Sequence, residues 1–186
     1  MIVWLNGAFG VGKTSAAAAM AGLGGRLGVF DPEEIGALLT RVRRAPSGDF
    51  QDLPAWRRLV TLTTAELAGH AAGPLVVPMT VLDEGYAREI FNGVRSRAHD
   101  VAHVVLHCEP DELAARIDGD RDGADRAVWV ARRDWRHSRR PAYYRALPWL
   151  HCLGKPLVID TTHLSPVDVA RRVLRCAGIA YDDGEL

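Results

Sequence analysis

Short apolar runs alternate with longer segments of helical periodicity along the chain. Ile2-Val3-Trp4-Leu5 is the first such run, and its lack of polar alternation predicts a strand buried on both faces. Further strands are predicted over 27–30, 74–80, 101–108 and 156–160. Between them the apolar spacing lengthens to helical periods over 13–23, 54–71, 83–98, 110–117 and 127–140. The first of these helices is rich in alanine and is stopped by Gly24-Gly25. Asp31-Pro32-Glu33-Glu34 opens another helix with a cap, a proline at the first position and acids in the first turn. Ser165-Pro166-Val167-Asp168 caps a last helix that runs to Gly178. A polar patch rich in Asp and Arg fills 118–126. Apolar strands alternating with helices predict an α/β fold, a parallel sheet of five strands with helices on both faces. Ligands of such sheets sit outside the carboxyl ends of the strands. That rule singles out residues 6–14, Asp31, Met79-Thr80 and Thr161-Thr162.

Composition narrows the classes. The 186 residues are 48% apolar and 25% charged, which fits one globular domain over 1–186 with a core of its own. Its 23 basic residues balance 23 acidic ones, so the chain lacks the charge of a nucleic-acid or membrane-surface binder. The longest apolar stretch, 73–82, holds two prolines and is too short to span a bilayer. The first strand begins at once with no basic residue before it, which is not the pattern of a signal peptide. Cys108, Cys152 and Cys176 are odd in number and far apart, as in a reduced cytoplasm. Of the cations, 21 are arginine and only Lys13 and Lys155 are lysine. A chain so sparing of lysine has a specific use for an ammonium at position 13.

That lysine closes Gly7-Ala8-Phe9-Gly10-Val11-Gly12-Lys13-Thr14, which fits G-x-x-x-x-G-K-[ST] at every fixed position. The motif follows a predicted strand and opens a predicted helix, the context it requires. Its glycines let backbone N–H groups close around phosphate oxygens, and the helix N-terminus adds positive partial charge. Lys13 reaches the β- and γ-phosphates, Thr14 offers a hydroxyl to Mg²⁺, and Ser15 follows on the first helical turn.

The opening Ile2-Val3-Trp4-Leu5-Asn6-Gly7-Ala8-Phe9-Gly10 resembles the tunicamycin-resistance protein family, P-loop proteins related to small kinases. Phe30-Asp31-Pro32-Glu33 agrees with it too. So do Asp49-Phe50-Gln51 with Pro54 and Trp56-Arg57, and Val77-Pro78-Met79-Thr80. The spacing of Phe50-Gln51, Pro54 and Trp56-Arg57 is the family-specific part. An Asp after the second strand and Val158-Ile159-Asp160-Thr161-Thr162-His163 give a more distant likeness to chloramphenicol phosphotransferase. The resemblance implies a three-layer P-loop NTPase of nucleoside-monophosphate-kinase-like fold, with ATP and Mg²⁺ as cofactors and a short lid over about 118–136. It also implies a small-molecule substrate, a nucleoside antibiotic such as tunicamycin, and a monomer or homodimer.

On that frame Asp31 is read as the base for an acceptor hydroxyl, as the matching Asp of the phosphotransferase is, although the same residue equally completes a helix cap. Arg116 is read as stacking on adenine, and Arg121 and Arg126 as lid residues that clamp phosphates, with Arg132, Arg133 and Arg136 nearby. Thr161 and Thr162 match a segment that lies beside adenine in relatives. Phe50, Gln51, Trp56 and Arg57, with Met79 and Thr80, form the candidate acceptor pocket. An aromatic ring there would stack on uracil or sugar, and an amide would pair with a base edge. The third strand ends without an aspartate, unlike many P-loop kinases, and Asp83 reads as a helix cap. His103 and His107 share a strand face, where a satisfied buried histidine is the expectation rather than a metal ligand. Arg41, Arg43 and Arg44 read as a solvated helix end. Three functions follow: phosphoryl transfer to the drug, ATP-dependent sequestration of the drug without chemistry, or a kinase for an ordinary nucleoside or sugar.

Overall fold

Strand β1, Ile2–Gly7, is buried along its whole length, and its alternate residues serve two different cores. In the computed structural model, which describes residues 1–24, 26–42, 45–121, 123 and 125–181, Val3 and Leu5 face one side of the sheet, and Ile2 and Trp4 the other. This is the period-2 consequence of strand geometry: an unbroken apolar run gives two apolar faces, and each must be covered.

The covering follows chain order. After β1 come α1 (Lys13–Gly22), β2 (Gly28–Val29), α2 (Glu33–Val42), a 3-10 turn (Phe50–Asp52) and α3 (Pro54–His70). Then come β3 (Leu75–Pro78), α4 (Glu84–Arg95), β4 (Val101–His107), α5 (Pro110–Gly119), α6 (Arg126–Leu150), β5 (Leu157–Asp160) and α7 (Pro166–Cys176). The strands are all parallel and lie in the order β2-β3-β1-β4-β5. The expected α/β sheet of five parallel strands with helices on both faces is therefore the fold. Helices α1 and α7 close the Val3–Leu5 face together with Tyr143, Ala146 and Leu150 of α6. Helices α3 and α4 close the other face, where Trp4, Trp56, Ile90 and Phe91 pack together.

All three predicted caps form: Asp31 Oδ1 accepts from Glu33 N at 2.9 Å. Asp83 Oδ1 accepts from Tyr86 N at 2.9 Å, and Ser165 and Asp168 exchange both bonds of a capping box. One expectation needs correction. The helix placed over 127–140 runs on to Leu150 through Pro141 and Pro148. Each proline costs the helix one hydrogen bond, but the turns beyond Pro141 bury Tyr143, Ala146 and Leu150, and that burial holds them helical. The segment around Phe50 is a 3-10 turn whose Asp49 Oδ1 caps Gln51 N at 3.0 Å. The expected basic helix end is described only at Arg41, which is exposed; Arg43 and Arg44 lie outside the described residues, as do Gly25 of the first helix stop and Asp122 and Ala124 of the polar patch.

Candidate active site

Strand β1 delivers its last residues to the mouth of the sheet, and buried Asn6 and Thr80 fix them there. Asn6 Oδ1 accepts from Gly7 N at 2.8 Å and Val81 N at 3.0 Å, while Asn6 Nδ2 donates to Val81 O at 3.0 Å. Thr80 Oγ1 donates to Gly7 O at 2.9 Å. The tip of β3 thus brackets the loop, in a place where many P-loop kinases carry a carboxylate. Gly7 has φ +140°, and a Cβ there would stand 2.4 Å from Leu106 O, so only glycine lets the loop leave β1 so close to β4.

The loop then opens α1. Gly12, at φ +100°, is its N-cap, with no side chain capping it and no acid in its first turn. A Cβ on Gly12 would meet nothing within 4 Å, because the loop faces a cavity. Lys13 lies folded across the loop. Its Nζ donates to Ala8 O at 2.8 Å and stands 5.6 Å from the centre of the Phe9 ring. Burial pulls its pKa down to about 7, an effect that the Glu33 charge opposes and the Arg136 charge reinforces.

The cavity in front of this loop measures about 560 Å³, within the range of small-molecule sites. Residues 9–15 line it with Asp31, Glu33, Arg116, Asp120, Arg136 and Thr161, and Leu164, Pro166 and Val169 give it an apolar end. Arg116 binds this rim together. It donates to Val11 O at 3.2 Å, Thr161 Oγ1 at 3.1 Å, Thr161 O at 2.7 Å and Thr162 O at 3.2 Å, and pairs with Glu112 at 2.8 Å. Thr161 is buried and its hydroxyl donates to His107 O at 2.9 Å. Thr162 turns away, donating to Asp160 Oδ1 at 2.6 Å and accepting from Glu109 N, so its side chain does not line the cavity.

A second cavity of about 330 Å³ adjoins the first and shares Phe9, Glu33 and Arg136 with it. Phe50, Gln51, Met79 and the 47–49 turn form one side, and Arg132, Trp135 and Arg139 of α6 the other. Of the expected acceptor residues, Phe50, Gln51 and Met79 come together here. Trp56 and Arg57 do not, which corrects the sequence expectation. Trp56 has no exposed surface and donates its Nε1–H to Pro32 O at 3.1 Å within the core, since its face of α3 points at the sheet. Arg57 pairs with Glu89 at 2.6 Å, donates to Gln51 O at 2.6 Å and stacks on Tyr86. Both residues support the pocket from behind. Thr80 is likewise structural, and its carbonyl accepts from Gln51 Nε2 at 3.0 Å.

The lid expectation is also redistributed. Arg121 stacks on Trp129, and Arg126 is exposed at the start of α6; neither lines either of these two cavities. Arg136 lines both cavities instead and pairs with Asp120. Arg132, Arg136 and Arg139 recur at i, i+4 and i+7, so one face of α6 presents all three, and this spacing is the signal that would have found them. Asp31 lines the larger cavity while its Oδ1 accepts from Glu33 N at 2.9 Å, so it serves as cap and cavity wall at once. His103 is the satisfied buried histidine expected, with Nδ1 3.1 Å from Leu153 O.

The site suits the phosphates of a nucleotide. A helix N-terminus without a side-chain cap and a lysine bound only to carbonyls together form a cradle for anionic oxygen. Among the described residues no cluster of three or more His, Cys, Asp or Glu is placed to hold a metal. No helix among the described residues is long and apolar enough to cross a membrane.

The comparisons with known proteins agree with this geometry. Among solved structures, the chain is similar to a tunicamycin resistance protein of Deinococcus radiodurans at 26% identity, over 97% of each chain, with a TM-score of 0.69. The resemblance read from the opening residues therefore extends over the whole fold. A sugar kinase from Janibacter sp. HTCC2649 (20% identity, 96% of this chain and 95% of that one, TM-score 0.66) has the same fold. A gluconokinase of Sinorhizobium meliloti 1021 (16%, 93% and 89%, TM-score 0.59) shares it as well. No curated protein sequence matches the chain. A family model described as an AAA domain matches residues 2–142. With the phosphate loop, four of the five parallel strands and most of the chain inside that match, the protein belongs to the AAA domain family.

Proposed function

We propose that the protein is an ATP- and Mg²⁺-dependent phosphotransferase acting on a hydroxyl of a small molecule, a nucleoside-type antibiotic such as tunicamycin. The observation that carries this reading is the pair of adjoining cavities with a common wall of Phe9, Glu33 and Arg136. One has the electrostatics for a triphosphate; the other is of a size for the polar head of an acceptor. The similarity to a tunicamycin resistance protein supports the choice of drug.

In this reading the loop N–H groups and Lys13 hold the β- and γ-phosphates, and Arg136 meets charge that develops on the moving phosphoryl. Thr14 and, through water, Asp31 would hold Mg²⁺, whose chemistry there is to neutralise phosphate charge. A carboxylate at the start of α2 takes the acceptor proton. Arg116, Thr161 and the apolar end of the larger cavity receive the base. Phe50, Gln51 and Met79 bind the acceptor. A second reading, sequestration of the drug without chemistry, draws on the β3 tip, where the Thr80 bracket stands in place of a carboxylate.

Mass spectrometry of the drug after incubation with protein and MgATP decides between the readings. The expected product carries one added phosphoryl group and is absent with Lys13→Ala. Tight binding with the drug recovered unchanged rejects transfer in favour of sequestration. Absence of any binding points to another nucleoside or a sugar as the acceptor.

A further inference from the structure

The turn entering α2 carries two carboxylates, and they occupy different places. Asp31 lines the larger cavity and an outer groove along α2, but not the acceptor cavity. Glu33 lines all three. Asp31 is also committed as a cap through its bond to Glu33 N. The other acid of the acceptor cavity, Asp49, is held by Arg139 at 2.6 Å and by Gln51 N at 3.0 Å. No hydrogen bond or ion pair among the described residues engages the Glu33 carboxylate. We propose that Glu33, rather than Asp31, is the catalytic carboxylate that accepts the acceptor's proton. The assignment rests on the phosphotransferase reading and deepens it.

The step balances without another reactant. The acceptor oxygen bonds to the γ-phosphorus, and its proton passes to the Glu33 carboxylate. The bond from the γ-phosphorus to the bridging oxygen breaks, and its electron pair leaves with ADP. The surroundings suit a proton acceptor. Desolvation at the cavity wall and the Asp31 charge hold the Glu33 carboxyl above the ordinary carboxylate range, while Lys13 of α1 and Arg136 of α6 oppose that rise. Asp49, Arg132 and Arg139 face it across the acceptor cavity, and Glu34 and Arg41 along the groove.

Water entering the acceptor cavity is itself an acceptor, so slow hydrolysis of MgATP by the full chain tests the assignment whatever the physiological acceptor is. Glu33→Gln is expected to lower kcat by about 100-fold or more, with KM for ATP and the MgATP-induced rise in Tm unchanged. A fall in kcat with KM for ATP unchanged is a split that a merely structural glutamate would not give. Asp31→Asn, which keeps a capping oxygen, should raise the Mg²⁺ requirement. If Glu33→Gln hydrolyses ATP at the wild-type rate while Asp31→Asn is inactive, the assignment is overturned and the phosphotransferase reading stands. A wild-type protein that binds MgATP yet neither hydrolyses it nor transfers phosphate overturns both.

Discussion

Lys13 shows how a single side chain reports the state of its site. With only carbonyl partners it sits at a pKa of about 7, against 10.5 for a free lysine. An anionic phosphate beside it removes the reason for that depression, so binding raises the pKa. At pH 8 the free protein holds this amine mostly neutral, and triphosphate binding takes up close to one proton. Near pH 6 the lysine is already protonated and the uptake disappears. Calorimetric titrations in buffers of different ionisation enthalpy should read this difference. Lys13→Arg, which keeps the charge but never deprotonates, should abolish it. The motif alone made Lys13 legible, because its chemistry requires one lysine at one spacing. Glu33 was legible only as a cap acid, since nothing in the local sequence says which cavity an exposed first-turn carboxylate borders.

Elements whose ends carry their own chemistry formed where the chain predicts. The α7 capping box is local to four residues, and Ser165→Ala should cost about 1 kcal/mol of stability, read as a lower midpoint in urea with an unchanged slope. Helix α6 is the contrary case. Its proline at 141 reads as a stop, yet the helix continues because distant core residues receive Tyr143, Ala146 and Leu150. The same helix carries Arg132, Arg136 and Arg139 on the face that roofs the acceptor cavity. Their spacing was visible in the chain, but the partner of that face was not. Trp56 and Arg57 misled for a related reason. Residue type marks a side chain as able to stack or pair, while the rotation of α3 against the sheet turns one into the core and the other onto Glu89 and Tyr86.

At the scale of the molecule, α6 bridges segments distant in sequence. Trp135 packs edge-on against Phe9 of the phosphate loop with ring centres 4.6 Å apart, and Arg139 pairs with Asp49 ninety residues away. These contacts join the wall of the smaller cavity to the phosphate loop. The Asp49–Arg139 pair is partly exposed, so a double-mutant cycle with Asp49→Ala and Arg139→Ala should give a coupling of about 0.5–1 kcal/mol in stability, reduced by salt. By itself the chain determined the parallel sheet, the helix caps and the phosphate cradle, because each depends on period, cap chemistry or a contiguous motif within a few residues. Only the tertiary structure decided which carboxylate borders both cavities, which arginines line them and which aromatic ring is core. Those outcomes depend on how helices far apart in sequence rotate and pack against one sheet.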